Sequence, residues 1–376
     1  MKLAGNTYDR MELAGAFGDL GTLIPFVLGY ITLTKLDPAG VLLAFGLGNL
    51  AAGLWFRTPV GVQPMKAIGA AAISQGEWVT PGMIWSAGAF TALFWLTMGL
   101  SGAIAWVARV TTKPVVRGLM LGLGLSFVLE GLGMMREQPV VAIAGALIVL
   151  LLLSSTRAPA MLVLLAFGTL VAFWQQPGLF ADLRLFAPAL HLPTPRLGGI
   201  GAREMLSGIV LLALPQAALT VGNAIIGMAA EHNEHFPDRP VTVQRLSLSH
   251  GLLNAISAAV GGAPMCHGAG AVAGHVRFGA RTGGSMVILG LLLAGLGLFY
   301  GYAAVRLLQA FPRPLLGTIL VFAGVELASM IRDIRGRRPH VFIVVITAGV
   351  AIWNVGVAYL VGLLLYYAVR RGLITI

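Results

Sequence analysis

The chain is 376 residues long, 57% hydrophobic and only 10% charged, with a mean hydropathy of +0.87. This composition lies outside the soluble globular range and describes a polytopic membrane protein. The net charge of +11 comes from basic residues scattered singly at the ends of apolar runs, a pattern of topology signals and not of a nucleic-acid surface, and the single cysteine excludes an intramolecular disulfide.

Cut at charges and Pro/Gly clusters, the apolar runs give about fourteen segments of roughly spanning length. They lie near 11–33, 38–56, 61–76, 82–107, 115–133, 139–155, 158–175, 205–229, 243–260, 263–278, 283–308, 314–331, 339–353 and 355–370. The first contains Asp19 and glycine breaks and reads as a retained helix, not a cleaved signal peptide. The third and tenth are short. The connection 176–204, rich in Pro and Gly, divides the chain into 1–175 and 205–376, seven segments each. With the N-terminus inside, seventeen Lys and Arg fall on the inner side and seven on the outer, which predicts both termini in the cytoplasm.

The two halves resemble each other. At an offset of 200 residues Gly61, Pro64, Met65, Ala71, Leu93, Ala103 and Pro114 match Gly261, Pro264, Met265, Ala271, Leu293, Ala303 and Pro314. Asn49 and Asn254, and Glu130 and Glu326, correspond with small changes of offset. Because seven is odd, the second copy enters the membrane from the opposite side. The expected fold is therefore an all-α polytopic membrane protein built as a 7+7 inverted repeat, the usual architecture of secondary transporters.

Two stretches of that repeat, GVQPMKAIGAAA at 61–72 and GGAPMCHGAGAV at 261–272, put polar groups where they are costly. Pro64 and Pro264 would each start a half-helix after a short extended run, since proline breaks a helix interior but suits its first position. Two such N-termini facing each other make an anion site. Gln63, Pro64, Met65 and Lys66 would line it from the first motif, and Met265, Cys266, His267 and Gly268 from the second. A Lys66 that snorkels to an interface is the plainer alternative. A Cys266–His267 nucleophile and base is disfavoured, because neighbouring helical residues point about 100° apart. Cys266 reads as a small packing residue, and His267 as an anion donor, a proton carrier or a structural histidine.

Asp19 and Thr22 share a face of the first segment, and Gln216, Thr220 and Asn223 a face of the eighth, where polar residues turn to a bundle interior or cavity. Asp19 could pair with Lys66, bind a proton or lie apart from the anion. Glu130 and Glu326 are coupling or gating candidates, with interfacial carboxylates as the plainer reading. The run EHNEHFPDRP, 231–240, reads as a solvated cytoplasmic loop and not a metal site, because no second cluster completes it. No metal or cofactor is expected, and the absence of GxxxxGK[ST] argues against ATP drive within this chain.

The stretches GDLGTLIPF, PVGVQPMKAIGAAAIS, LPQAALTVGNAIIG and GGAPMCHGAGAVAGHVRFGARTG resemble signature stretches of the molybdate-transporter family, relatives of the SulP sulfate permeases. The resemblance runs over nearly the whole chain. It implies the fold of sulfate and nucleobase permeases, in which a core domain of segments 1–4 and 8–11 moves against a gate domain of segments 5–7 and 12–14. It also implies an oxyanion held between segments 3 and 10 by Gln63, Lys66, Cys266 and His267, with Asp19, Gln216 and Asn223 nearby. The soluble domain that many SulP relatives carry after the last span is not expected here, since the sequence stops six residues past Arg370.

The expected function is secondary, elevator-type transport of molybdate, with sulfate or tungstate as alternatives, in the inner membrane of the cell and in contact with lipid. Proton coupling through Asp19, His267 or a glutamate stays open, as does a homodimer. Three other readings stand beside it. A nucleobase or organic-anion symporter is disfavoured because both motifs lack an aromatic partner for a flat ring. An anion channel would share the site, and an intramembrane enzyme would use Cys266 and His267.

Overall fold

The computed structural model describes residues 1–3, 5–74, 78–153, 155, 158–178, 187–194, 200–334 and 338–375. Arg157, Arg184, Arg196, Arg335 and Arg337, which enter the charge count, lie outside the described residues, as does much of the 176–204 connection.

An N-terminal hairpin, β1 (Lys2–Leu3) with β2 (Asn6–Thr7), precedes α1 (Arg10–Ala16) and α2 (Leu20–Thr32), which are bent by 45° where the chain turns at 17–19. Then come α3 (Pro38–Phe56), β3 (Gln63–Pro64), α4 (Lys66–Ser74), α5 (Pro81–Leu100), α6 (Ala103–Val110), α7 (Lys113–Met135), α8 (Pro139–Leu152) and α9 (Ala160–Gln175). The second half opens on α10 (Ala202–Ser207), α11 (Leu214–Thr220) and α12 (Met228–His235), joined by wide π-helical turns at Gly208–Ala213 and Val221–Gly227. It continues as α13 (Val243–Ala259), β4 (Met265–Cys266), α14 (Ala269–Arg277), α15 (Gly284–Tyr300), α16 (Tyr302–Ala310), α17 (Arg313–Ala328), α18 (Arg338–Trp353) and α19 (Val355–Arg370).

Local chemistry sets these bounds. Pro38, Pro81, Pro114, Pro139 and Pro314 stand in the first turn of their helices, where a missing N–H is no loss. Asp37, Thr80, Thr242 and Asn354 cap helix starts with their side chains. Among the described residues three helices, α3, α5 and α7, are each long and apolar enough to cross a bilayer, or up to six spans if each bent pair counts as one. The protein is an all-α integral membrane protein with several candidate spans.

Besides a small second cluster at Ala172 and Ala310, a large hydrophobic core runs through both halves. Within it α3 packs on α15, α5 on α13 and α7 on α17. More peripherally, α1 rests on α15 while α10 and the turn after it rest on α5, and α6 touches α13 while α16 touches α3. Each of these pairings becomes another of them, or itself, when its two partners are shifted by 200 residues in opposite directions. The helices follow the same offset: Pro81–Leu100 moves to 281–300, against Gly284–Tyr300, and Pro139–Leu152 to 339–352, against Arg338–Trp353.

Several expectations need correction. The half-helices begin at Lys66 and Ala269, two and five residues beyond Pro64 and Pro264. The reason is that both prolines belong to an extended crossing and serve it through their carbonyls. Asp19 sits in the break before α2 and not on a helical face. Residues 231–235 form the last turns of α12 and not a solvated loop, with Glu231 and His232 wholly buried. The Asn233 side chain holds the Val241 backbone from both sides, at 2.7 and 3.0 Å, and draws that helix end inward.

Candidate functional site

Segments 3 and 10 meet in the interior, where β3 and β4 pair antiparallel with Gln63 opposite Cys266 and Pro64 opposite Met265. The Met65 N–H donates to the Pro264 carbonyl at 3.0 Å, and the Cys266 thiol lies 3.7 Å from the Pro64 carbonyl. An extended chain inside an apolar bundle carries backbone groups that no helix satisfies. Each half solves this with one asparagine from the preceding helix. Asn49 on α3 accepts from the Val62 N–H at 3.0 Å and donates to the carbonyls of Val62 at 3.2 Å and Phe45 at 3.0 Å. Asn254 on α13 accepts from the Met265 N–H at 3.0 Å and donates to the carbonyls of Met265 at 2.7 Å and His250 at 2.8 Å.

The second motif is closed. His267 Nδ1 lies 3.0 Å from the Gly61 carbonyl, which can only accept, so Nε2 accepts from the Ser249 hydroxyl at 2.8 Å. Its backbone N–H donates to His250 Nε2 at 3.1 Å, and His250 Nδ1 lies 2.9 Å from the Leu246 carbonyl. This network assigns the neutral Nδ1–H tautomer to both rings. Both ring nitrogens of His267 are engaged within the protein in this arrangement, so neither is free to meet an anion.

The first motif is open. Gln63 is wholly buried, and beyond the weakly polar Cys266 thiol beside it neither its Oε1 nor its Nε2 has a hydrogen-bond partner among the described residues. Lys66 Nζ is also buried without a hydrogen-bond partner and lies 3.8 Å from the centroid of the Phe127 ring on α7. A cation–π contact contributes about 2 kcal/mol when desolvated. Withdrawing an ammonium from water costs several kcal/mol in effect, more than that contact returns. What the pair lacks is an acceptor, ideally a charged one. Gly268 makes room here, since a Cβ at that position would overlap the Gln63 amide nitrogen.

The surrounding residues bear on the same place. The Ala67 N–H, in the first turn of α4, donates to Gln216 Oε1 at 2.8 Å, and Gln216 Nε2 donates to Thr220 Oγ1 at 3.0 Å. The eighth segment therefore caps the half-helix of the third. Asn223, in the second π-helical turn, has a buried Oδ1 without a partner. Asp19 accepts from the Thr22 hydroxyl, and no ion pair joins it to Lys66 among the described residues. Glu130 is exposed on α7, and Glu326 pairs with Arg277 at 3.3 Å at the far end of α14. His232 and His235 are engaged with Thr58 at 2.8 Å and Glu231 at 3.0 Å.

Sequence reasoning passes over Phe127, Tyr30, Ser249 and His250. Tyr30 donates to the Met65 carbonyl at 3.3 Å. His250 and Asn254 stand four apart inside an apolar span, a signal available in the sequence. Phe127 is one aromatic among many, and nothing in its neighbourhood marks it. Its ring also removes the argument that the site offers no aromatic surface.

A family model described as a molybdate transporter of the MFS superfamily matches residues 11–127 and 208–327, two stretches whose ends are displaced by 197 and 200 residues. Molybdate transporter 2 of Arabidopsis thaliana is 33% identical over 391 residues, covering 90% of this chain and 82% of its own length. Molybdate transporter 1 of Chlamydomonas reinhardtii is 28% identical over 470 residues, covering 94% and 90%. Among solved structures, the transmembrane domain of a cyanobacterium bicarbonate transporter, BicA, superposes with a TM-score of 0.58 at 16% identity, covering 93% of this chain and 97% of that one. The murine anion transporter Slc26a9 in its inward-facing state gives 0.64 at 12% identity, covering 100% and 70%. At these identities the likeness is one of fold.

Proposed function

The chain belongs to the molybdate-transporter family, a family of transport proteins and not of enzymes, and from that premise we propose that it moves a tetrahedral oxyanion across the membrane as a secondary transporter. Molybdate stands first, as the ion named for its relatives, and sulfate or tungstate second. The observation that carries this reading is the orphaned pair Gln63 and Lys66 beside the N-terminus of α4. A buried ammonium without a hydrogen-bond partner among the described residues, on which Asp19 and Glu130 act only through space, is a costly arrangement that an anion relieves. The helix end adds about 0.3–2 kcal/mol of attraction. A bound oxyanion would accept from Lys66 Nζ and Gln63 Nε2 and compete with Gln216 Oε1 for the Ala67 N–H.

Alternating access follows from the repeat. The matching helix bounds, the interchangeable packing pairs, the paired asparagines and the two displaced family matches all support a 7+7 inverted repeat of fourteen spans. The packings of α3 on α15 and α5 on α13 lie within the proposed core, and that of α7 on α17 within the proposed gate, as two bodies that slide past each other require. The basic-residue count supports both termini on the cytoplasmic side of the inner membrane. Proton coupling would fall to Asp19 or Glu130, since both nitrogens of His267 are taken.

The test is molybdate uptake into proteoliposomes. Lys66→Ala and Gln63→Ala should each lower it at least about tenfold, the scale of one lost charge-assisted hydrogen bond. Unchanged uptake in both variants moves the site elsewhere. Competition by uracil but not by sulfate would favour a nucleobase carrier, the alternative to which the Phe127 ring lends a surface.

A further inference from the structure

A cavity of about 660 Å³ opens where the C-terminal ends of α12, α14 and α17 converge. Its polar lining includes Arg277, Arg281, Arg332 and His235, and one carboxylate, Glu326; Met11 and Phe236 contribute apolar wall. The β3–β4 crossing contributes nothing to it.

The cations are poorly matched by the acidic groups around them. Arg277 reaches Glu326 through Nη1 alone at 3.3 Å, long for a charge-assisted pair, and its Nε is buried without a partner. Arg281 is fixed by its Nη1, which donates to the carbonyls of Val276 at 2.9 Å and Ala280 at 2.8 Å, and its Nε and Nη2 make no hydrogen bond among the described residues. Arg332 meets Glu234 at 3.0 Å, but Glu234 already carries Arg117 on its other oxygen at 2.6 Å. Glu12 offers no relief, because its oxygens are taken by the backbone N–H groups of Arg281, Thr282 and Ser285. Glu231 is turned to His235. Of the described residues that line the cavity three carry guanidinium groups and one a carboxylate, and although Glu234, Glu12 and Glu231 balance part of that charge from behind the wall, the Nε of Arg277 and the Nε and Nη2 of Arg281 are left over as donors for the oxygens of an anion.

We propose that this cavity is a second oxyanion site, separate from the Gln63–Lys66 site, in which Arg277, Arg281 and Arg332 bind a tetrahedral dianion that displaces Glu326 from Arg277. Guanidinium forks suit such oxygens geometrically as well as electrically. On the topology of the proposed transporter the cavity faces the cytoplasm, between core and gate elements. It stands either as a station for the free ion on its way to or from the crossing, or as a seat for the phosphate of an anionic lipid.

Equilibrium dialysis of the purified full chain against molybdate, and separately against inorganic phosphate, tests the site. Wild type should bind two molybdate ions, one class removed by Lys66→Ala and the other by Arg277→Gln with Arg281→Gln. Glu326→Gln, which removes the competing carboxylate, should tighten the second class by about tenfold, a gain that misfolding cannot produce. Saturation by dioctanoyl phosphatidic acid, with no binding of molybdate or phosphate at this class, assigns the site to a lipid head group. Stoichiometry unchanged by the double arginine variant, or weaker binding in Glu326→Gln, overturns the proposal. A surviving arginine-dependent class with no Lys66-dependent class would instead refute the transport reading and leave this site standing.

Discussion

The two strands that cross in the middle of the protein are built alike and finished differently. Each is clamped by an asparagine four residues after the helix carbonyl it also holds. Yet the second strand runs into His267, whose two ring nitrogens and backbone N–H are all engaged inside the protein, whereas the first runs into Gln63 and Lys66, whose side-chain polar atoms have no hydrogen-bond partner among the described residues. Buried polar groups are retained unpaired where something outside the fold completes them. On that ground the proposed site draws its donors from the first strand, while the polar groups of the second are used within the fold.

The sharpest way to break this assignment is to remove one residue from each side. Lys66→Ala should abolish molybdate uptake while leaving the thermal midpoint of the purified protein unchanged or higher, because it deletes a buried ammonium that has no hydrogen-bond partner among the described residues and whose withdrawal from water costs several kcal/mol. His267→Ala should act in the opposite sense. It leaves the Gly61 carbonyl and the Ser249 hydroxyl without partners and should cost about 2–4 kcal/mol of stability, with binding affinity retained in whatever protein remains folded. A stable His267→Ala protein that no longer binds molybdate, beside an unstable Lys66→Ala, would reverse the two roles.

A smaller effect tests whether the clamps are equivalent. Asn49→Ala and Asn254→Ala each remove three hydrogen bonds, two of them to the N–H and carbonyl of one residue of the extended crossing and the third to a carbonyl of the asparagine's own helix. Each should lower stability by about 2–3 kcal/mol, and the two losses should agree within about 1 kcal/mol, since the bonds lost are the same in kind and number. A large loss from one and none from the other would mean that the halves do not carry the crossing equally.

Much of this architecture is legible in the amino-acid sequence. Pro, Gly and charge positions mark α3 and α19 to the residue, because an apolar helix in a membrane must end where its polar flanks begin. The Pro-Met echo locates the crossing itself. Pairing across 200 residues is what local patterns do not carry. Pro64 and Pro264 read locally as helix starters, but tertiary pairing of β3 with β4 holds both in extended chain and delays the helices. Nor does spacing tell a satisfied polar residue from an orphaned one. Lys66 and His267 are equally conspicuous in an apolar run, and only their neighbours separate them, Phe127 on one side and Ser249, His250 and Gly61 on the other. The burial of Glu231 and His232 escapes sequence reading for the same reason, as a charged run looks solvated until Asn233 is seen to tie the chain back.

The least perturbing substitution addresses the residue that lies between the two strands' roles. Cys266 faces Gln63 across the ladder, and its thiol lies beside the Gln63 side chain and 3.7 Å from the Pro64 carbonyl, contacts of the weak kind that sulfur donors form. If Cys266 is packing and not chemistry, Cys266→Ser should retain uptake within about twofold and shift stability by no more than about 1 kcal/mol, the net worth of one exchanged hydrogen bond. A serine hydroxyl is smaller and a better donor, so the main strain it introduces is local: it can turn to Gln63 Oε1 and give that amide the partner it lacks. Should uptake fall well beyond twofold with stability intact, the cause would lie in that new bond, and Gln63→Ala in the same background would then cause no further loss.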